Sequence, residues 1–275
     1  MTNPETPSSG YVYVGTGRIF YDVRGSGPPI LMIHAGIADS RMWEPQLEAL
    51  AAEHRVIRLD LRGFGQTTTE PDPFFDWEDI DAVCAALTLS DIVVVGASMG
   101  ARVAVEFALQ RTDLVRGLVL VAPGLFSPDE PRSESLRSGW DAMGQAFDAG
   151  DSERMREIEL AMWVDGPRRD PSEVDPDVRR LVSEMNARVY ELEASAEGRQ
   201  ELTPPAVERL AQIRVPVLVV AGSDDQPDIL GIADRLVAEI DGARGVVFEN
   251  TAHMPTMEQP ERFNELVLQF IRKLP

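Results

Sequence analysis

Cysteine is almost missing from this chain: Cys84 stands alone among 275 residues, so no intramolecular disulfide and no cysteine-built metal cage is available. Cys84 itself falls in the helical pattern Ile80, Val83, Cys84, Leu87 and reads as core. Histidine is scarce too, with only three, and they do not cluster in the chain. A metal centre is therefore not expected. No apolar run approaches the roughly 20 residues that cross a bilayer. Residues 1–10 have neither the basic start nor the apolar core of a secretory signal. They are expected to be disordered, and the protein to be cytoplasmic. Positive charge is short as well: 26 Lys and Arg face 46 Asp and Glu, a formal net charge of −20. Nucleic-acid binding draws most of its affinity from basic surface, so such a partner is not expected, and an anionic membrane is disfavoured for the same reason. Apart from Lys273, every basic residue is arginine.

The length suits one large α/β domain carrying an inserted subdomain. Tyr11 to Arg24 alternates about Gly15-Thr16-Gly17 and predicts an antiparallel hairpin at the leading edge of a sheet. Continuous apolar runs then predict buried strands at Ile30–His34, Arg55–Asp60, Asp91–Ala97, Leu118–Ala122, Val215–Ala221 and Val246–Phe248. Helical patterns separate them, from Met42 to Ala52, Trp77 to Leu89, Ser98 to Gln110, Asp228 to Ile240 and Glu261 to Lys273. That alternation implies a mostly parallel sheet covered by helices on both faces. Between Phe126 and Pro205 it stops. This stretch holds 19 acidic and 10 basic residues and no convincing strand, yet Trp140, Met143, Phe147, Met155, Leu160, Met162, Trp163, Leu181 and Met185 recur at helical spacing. A linker has no need of that periodicity. The division that follows is a core of residues 11–125 and 206–275 with a helical cap at 126–205.

The chemistry centres on Gly96-Ala97-Ser98-Met99-Gly100, a G-x-S-x-G sequence directly after an apolar strand and before a helix. A strand-to-helix turn this sharp lifts the serine hydroxyl above the sheet and calls for glycine where backbones crowd. The helix beginning at Met99 points its free N–H groups and positive dipole end at the same place. A serine hydroxyl needs a base at neutral pH, and the base needs an orienting acid. His54, in Ala-Glu-His-Arg before a strand, is expected to be exposed. His34, ahead of an Ala-Gly turn, is better suited to holding that turn. His253 lies in the loop after the last strand, where a doubly wound sheet gathers its functional loops, and is the candidate base. Asp224 and Asp225, ending Gly222-Ser223-Asp224-Asp225, are both candidate acids on this reading.

Taken together, these motifs make the chain resemble the α/β-hydrolase fold family over nearly its whole length. His34-Ala35-Gly36 is similar to the family's H-G-x turn, with Ala35 in place of the usual first glycine. Asp60-Leu61-Arg62-Gly63-Phe64-Gly65-Gln66-Thr67 resembles D-x-R-G-x-G-x-S, and the order Ser98, Asp, His253 is the family's. The resemblance implies a mostly parallel sheet of about eight strands with an inserted helical cap. It also implies that Asp225, matching G-x-x-D, is the acid, and that the backbone N–H groups of Gly36 and Met99 form the oxyanion hole. The stretches His34–Trp43 and Asp60–Thr67 look most like those of enol-lactonases and small carboxylesterases.

The expectation is a serine hydrolase that cleaves a small ester, thioester or lactone through an acyl-enzyme, with no cofactor. Its partner is a small-molecule substrate with an apolar or aromatic acyl group, for which Phe126, Met162 and Trp163 of the cap are the candidate contacts. Carbon–carbon bond hydrolysis, a non-hydrolytic cyclase or dehydratase, and a slow-turnover ligand sensor share this fold and triad.

Overall fold

The computed structural model describes residues 8–127, 130–192 and 197–275. The strands are β1 (Ser8–Val14), β2 (Gly17–Arg24), β3 (Pro29–Ile33), β4 (Arg55–Leu59), β5 (Phe74–Phe75), β6 (Ile92–Ala97), β7 (Val115–Val121), β8 (Arg199–Gln200), β9 (Val217–Gly222) and β10 (Arg244–Phe248). The helices are α1 (Glu44–Ala51), α2 (Asp76–Ala86), α3 (Met99–Gln110), α4 (Glu134–Asp148), α5 (Ser152–Glu159), α6 (Pro176–Leu192), α7 (Pro227–Glu239), α8 (Pro255–Glu258) and α9 (Pro260–Ile271).

Eight strands form one sheet in the order β1-β2-β4-β3-β6-β7-β9-β10. β1 and β2 pair antiparallel, β2 meets β4 antiparallel, and every later neighbour is parallel. Every residue of β6 and of β9 is buried. Strands covered on both faces by helices have no polar face to show, which is why their sequences are Val, Ile, Leu and Ala with only Gly96 and Gly222 among them. β10 closes the sheet as an edge strand. There Arg262 donates to the Val247 carbonyl at 3.1 Å and its guanidinium lies 4.1 Å from the Phe248 ring centroid, covering part of the open edge.

The chain runs from β3 outward to β4, then returns to the other side of β3 as β6. That reversal makes a switch point between β3 and β6, where such sheets open a crevice at their carboxyl ends. Pairing in the register Ile33 with Gly96 brings the turns after both strands together.

Three expectations need correction. β1 begins at Ser8, so residues 8–10 of the stretch expected to be disordered pair with Asp22, Tyr21 and Val23 in the sheet; residues 1–7 lie outside the described residues. His54 is buried, 7% exposed, because it follows α1 beneath the Pro28 loop, whose carbonyl lies 3.3 Å from its Nδ1. Burial lowers its pKa. The insertion, finally, contains a strand: two-residue β8 pairs with β5 in the segment between β4 and α2. A two-residue ladder leaves no periodicity to read.

Candidate active site

Ser98 sits between β6 and α3 with φ of 52° and ψ of −114°, in a region that side-chain-bearing residues seldom occupy. Its N–H donates to the Val121 carbonyl at 2.8 Å, and its own carbonyl accepts from Ala101 and Gly124. These bonds hold the turn in its strained shape. Both flanking glycines are needed for lack of room. A Cβ on Gly96 would land on the Gly100 carbonyl, within 2.8 Å of Ala101 Cα; one on Gly100 would press into the carbonyls of Ile33, the last residue of β3, and of His34 just after it.

The turn after β3 is built by His34. Its ring is fully buried, with Nδ1 2.8 Å from the Ala35 carbonyl and Nε2 accepting the Leu61 N–H at 3.0 Å. That pattern fixes the neutral tautomer with the proton on Nδ1, and burial lowers the pKa further. His34 therefore serves the turn and has no free nitrogen for catalysis. Gly36 faces Met99: a Cβ on Gly36 would lie 3.6 Å from Met99 Cβ. Met99 opens α3, and among the described residues no turn or loop hydrogen bond uses the N–H of either residue.

On the same edge of the sheet, past the carboxyl ends of β9 and β10, Asp225 and His253 meet. Asp225 Oδ2 lies 2.8 Å from His253 Nδ1, and both side chains are buried. The other carboxylate oxygen, Oδ1, accepts the Gln226 N–H at 2.7 Å. Asp224 points away to Arg168 at 3.6 Å and accepts from Ser223 Oγ. Of the two candidate acids, only Asp225 touches the histidine. Among the described residues the Ser98 hydroxyl forms no hydrogen bond with His253, a looseness common before substrate binds.

The segment between β7 and β9 reaches this histidine through a turn that sequence reading missed. Residues Leu160–Asp165 form a π-helical turn whose last carbonyls have no partner within the helix. All four are taken from outside. Met162 O accepts from Gln226 Nε2 at 2.8 Å, Trp163 O from the His253 N–H at 3.2 Å, and Val164 O and Asp165 O from Arg169. Arg169 also forms a buried ion pair with Glu258 at 2.6 Å, and Glu258 accepts from the Ala252 N–H. Gln226, beside Asp225, and the His253 N–H are thus tied directly to the backbone of this turn. No local pattern marks Arg169 in the sequence, because its partners lie up to 89 residues away.

The Trp163 ring lies against His253, with centroids 4.6 Å apart. Phe126, Met162 and Trp163 belong to one apolar cluster with Leu136, Met155 and Ile158, so the three candidate contacts do come together.

A switch point between β3 and β6, a strained serine before a helix and a buried Asp–His pair on the following loops define an enzyme of the α/β-hydrolase class. Residues 30–266 match the alpha/beta hydrolase family, and the chain belongs to it. A relative from Azorhizobium caulinodans, named "Putative carbamate hydrolase RutD", is 30% identical over 94% of this chain and 97% of its own. An (E)-2-((N-methylformamido)methylene)succinate hydrolase of Acinetobacter baylyi is 24% identical, covering 93% and 94%. Among solved structures, a thermophilic esterase from Thermogutta terrifontis superposes with a TM-score of 0.79 at 27% identity, covering 98% of each chain. Among the described residues no helix is long and apolar enough to cross a membrane.

Proposed function

We propose that the chain hydrolyses a small ester, thioester or lactone, with Ser98 as nucleophile, His253 as general base and Asp225 as the group that orients it. The observation that carries this reading is the buried His253–Asp225 contact of 2.8 Å, on the edge of the sheet where Ser98 follows β6. Asp225 accepts a hydrogen bond from Nδ1–H, which leaves Nε2 as the basic nitrogen. His253 Nε2 takes the Ser98 proton as Oγ adds to the acyl carbon, and the N–H groups of Gly36 and Met99 hold the resulting oxyanion. The proton passes to the leaving oxygen or sulfur. Water, deprotonated by His253, then adds to the acyl-enzyme and releases the acid, and Ser98 recovers its proton. No cofactor enters these steps.

The apolar cluster of Phe126, Met162 and Trp163 beside His253 favours an apolar or aromatic acyl group over a charged one. Net charge of −20 opposes the approach of strong anions. The test is hydrolysis of p-nitrophenyl esters of increasing acyl length, with an N-methylcarbamate ester in the panel because of the relative's name. We expect ester turnover that falls by on the order of 10³ or more in Ser98→Ala. Equal rates in wild type and variant, or a wild type inert to every ester, thioester and lactone, would overturn the assignment.

A further inference from the structure

The end of the sheet opposite Ser98 holds a cavity with chemistry of its own. It lies between the amino ends of β9 and β10 and the last turns of α9, with a volume of about 490 Å³. That is within the range of small-molecule sites. Its walls are apolar, from Val215, Val246, Leu266 and Phe270, and three cations border it: Arg214, Arg244 and Lys273. Asp241 is the one carboxylate among its lining residues.

The cations are what set the cavity apart. Among the described residues, no hydrogen bond or ion pair engages the side chain of Arg214, Arg244 or Lys273. Elsewhere Arg116 holds the Pro275 carbonyl at 3.0 Å, Arg235 pairs with Glu130 and Glu239, Arg262 donates to the Val247 carbonyl, and Arg272 pairs with Glu53. With 46 acidic residues against 26 basic ones, a cation on this surface would ordinarily find a carboxylate. Lys273 gains something from the negative end of the α9 dipole. Arg214 stands before β9 and Arg244 opens β10, and neither has such compensation. Three unneutralised cations over an apolar wall make a local positive potential that an anion with a greasy body would satisfy.

We propose that this cavity is a second ligand site, separate from Ser98, that binds an amphipathic carboxylate. The alkyl body lies against Val215, Val246, Leu266 and Phe270, and the carboxylate sits among Arg214, Arg244 and Lys273. A neutral amphiphile of the same length lacks the charge-assisted contacts that supply discrimination.

Calorimetric titration of octanoate into the full chain and into Ser98→Ala tests this. We expect saturable binding with a Kd below about 1 mM, equal in both proteins. It should weaken at least tenfold in Arg214→Gln/Arg244→Gln/Lys273→Gln, in a cavity-filling Leu266→Trp, and for neutral octanamide on the wild type. All three cations are exposed, and ester turnover and thermal unfolding report whether the triple variant is folded; Lys273→Gln alone, expected to weaken binding severalfold, substitutes if it is not. No saturation by about 5 mM, or equal octanoate affinity in wild type and charge variants, overturns the proposal.

Discussion

Asp225→Asn is the sharpest test of the catalytic reading, because the structure dictates how the new amide must sit. Asp225 Oδ1 accepts the Gln226 N–H at 2.7 Å and Oδ2 faces His253 Nδ1 at 2.8 Å, both in buried surroundings. Leaving the buried Gln226 N–H without an acceptor costs about 1–3 kcal/mol, so the asparagine oxygen stays on that side. Its NH₂ group then faces His253. An NH₂ group only donates, which forces Nδ1 to be the acceptor and moves the ring proton to Nε2. In that tautomer Nε2 has no lone pair to take the Ser98 proton. The expected loss in kcat is on the order of 10⁴, or about 5.4 kcal/mol of transition-state stabilisation. Volume is conserved, so thermal unfolding should change little. The assay is kcat/KM for the best p-nitrophenyl ester at pH 7.5, with Asp224→Asn in parallel. Asp224 contacts Arg168 and Ser223 and not the histidine, and its variant should stay within about threefold of wild type, the scale of a lost surface ion pair. A loss below tenfold in Asp225→Asn, or a larger loss in Asp224→Asn, would refute the reasoning.

Arg169→Ala should unfold at lower temperature and turn over more slowly, since it strands Glu258 as a buried charge, a defect worth about 3–5 kcal/mol, and frees the cap from the His253 loop; a full-rate, fully stable variant, measured by melting and ester kinetics, would remove Arg169 from that role. Gly100→Ala must displace the Ile33 and His34 carbonyls that its Cβ would strike, costing about 2 kcal/mol or more and lowering Tm by roughly 4–8 °C, which differential scanning calorimetry would read. His34 has its folded pKa lowered by burial, so the unfolded chain binds the extra proton first as pH falls below about 6.5. Stability is thus lost on acidification through that value, and His34→Gln should flatten the dependence of Tm on pH between about 6.5 and 5; an unchanged slope would show that His34 does not contribute.

Much of the architecture was legible because it is written in local patterns. β6 reads as a buried strand since all its residues face helices, and Ser98 as the end of a sharp turn since glycine stands on both sides where no Cβ fits. The alternation of strands and helices carries the parallel sheet, and the loss of that rhythm after Phe126 marks the insertion. His54 was misjudged because its cover comes from the Pro28 loop, 26 residues earlier. β8 was invisible because two residues hold no period.

By itself the sequence determined the candidates for chemistry: one serine at a glycine-flanked turn, one histidine after the last strand, and a pair of adjacent aspartates. Only the tertiary structure shows which of the two carboxylates meets the histidine, since strand-end geometry allows either and the ring lies 28 residues away. It alone showed that a π-helical turn hands four carbonyls to Gln226, His253 and Arg169. Hydrogen bonds between distant segments leave no periodicity along the chain; they exist only once packing has brought donor and acceptor to the same point.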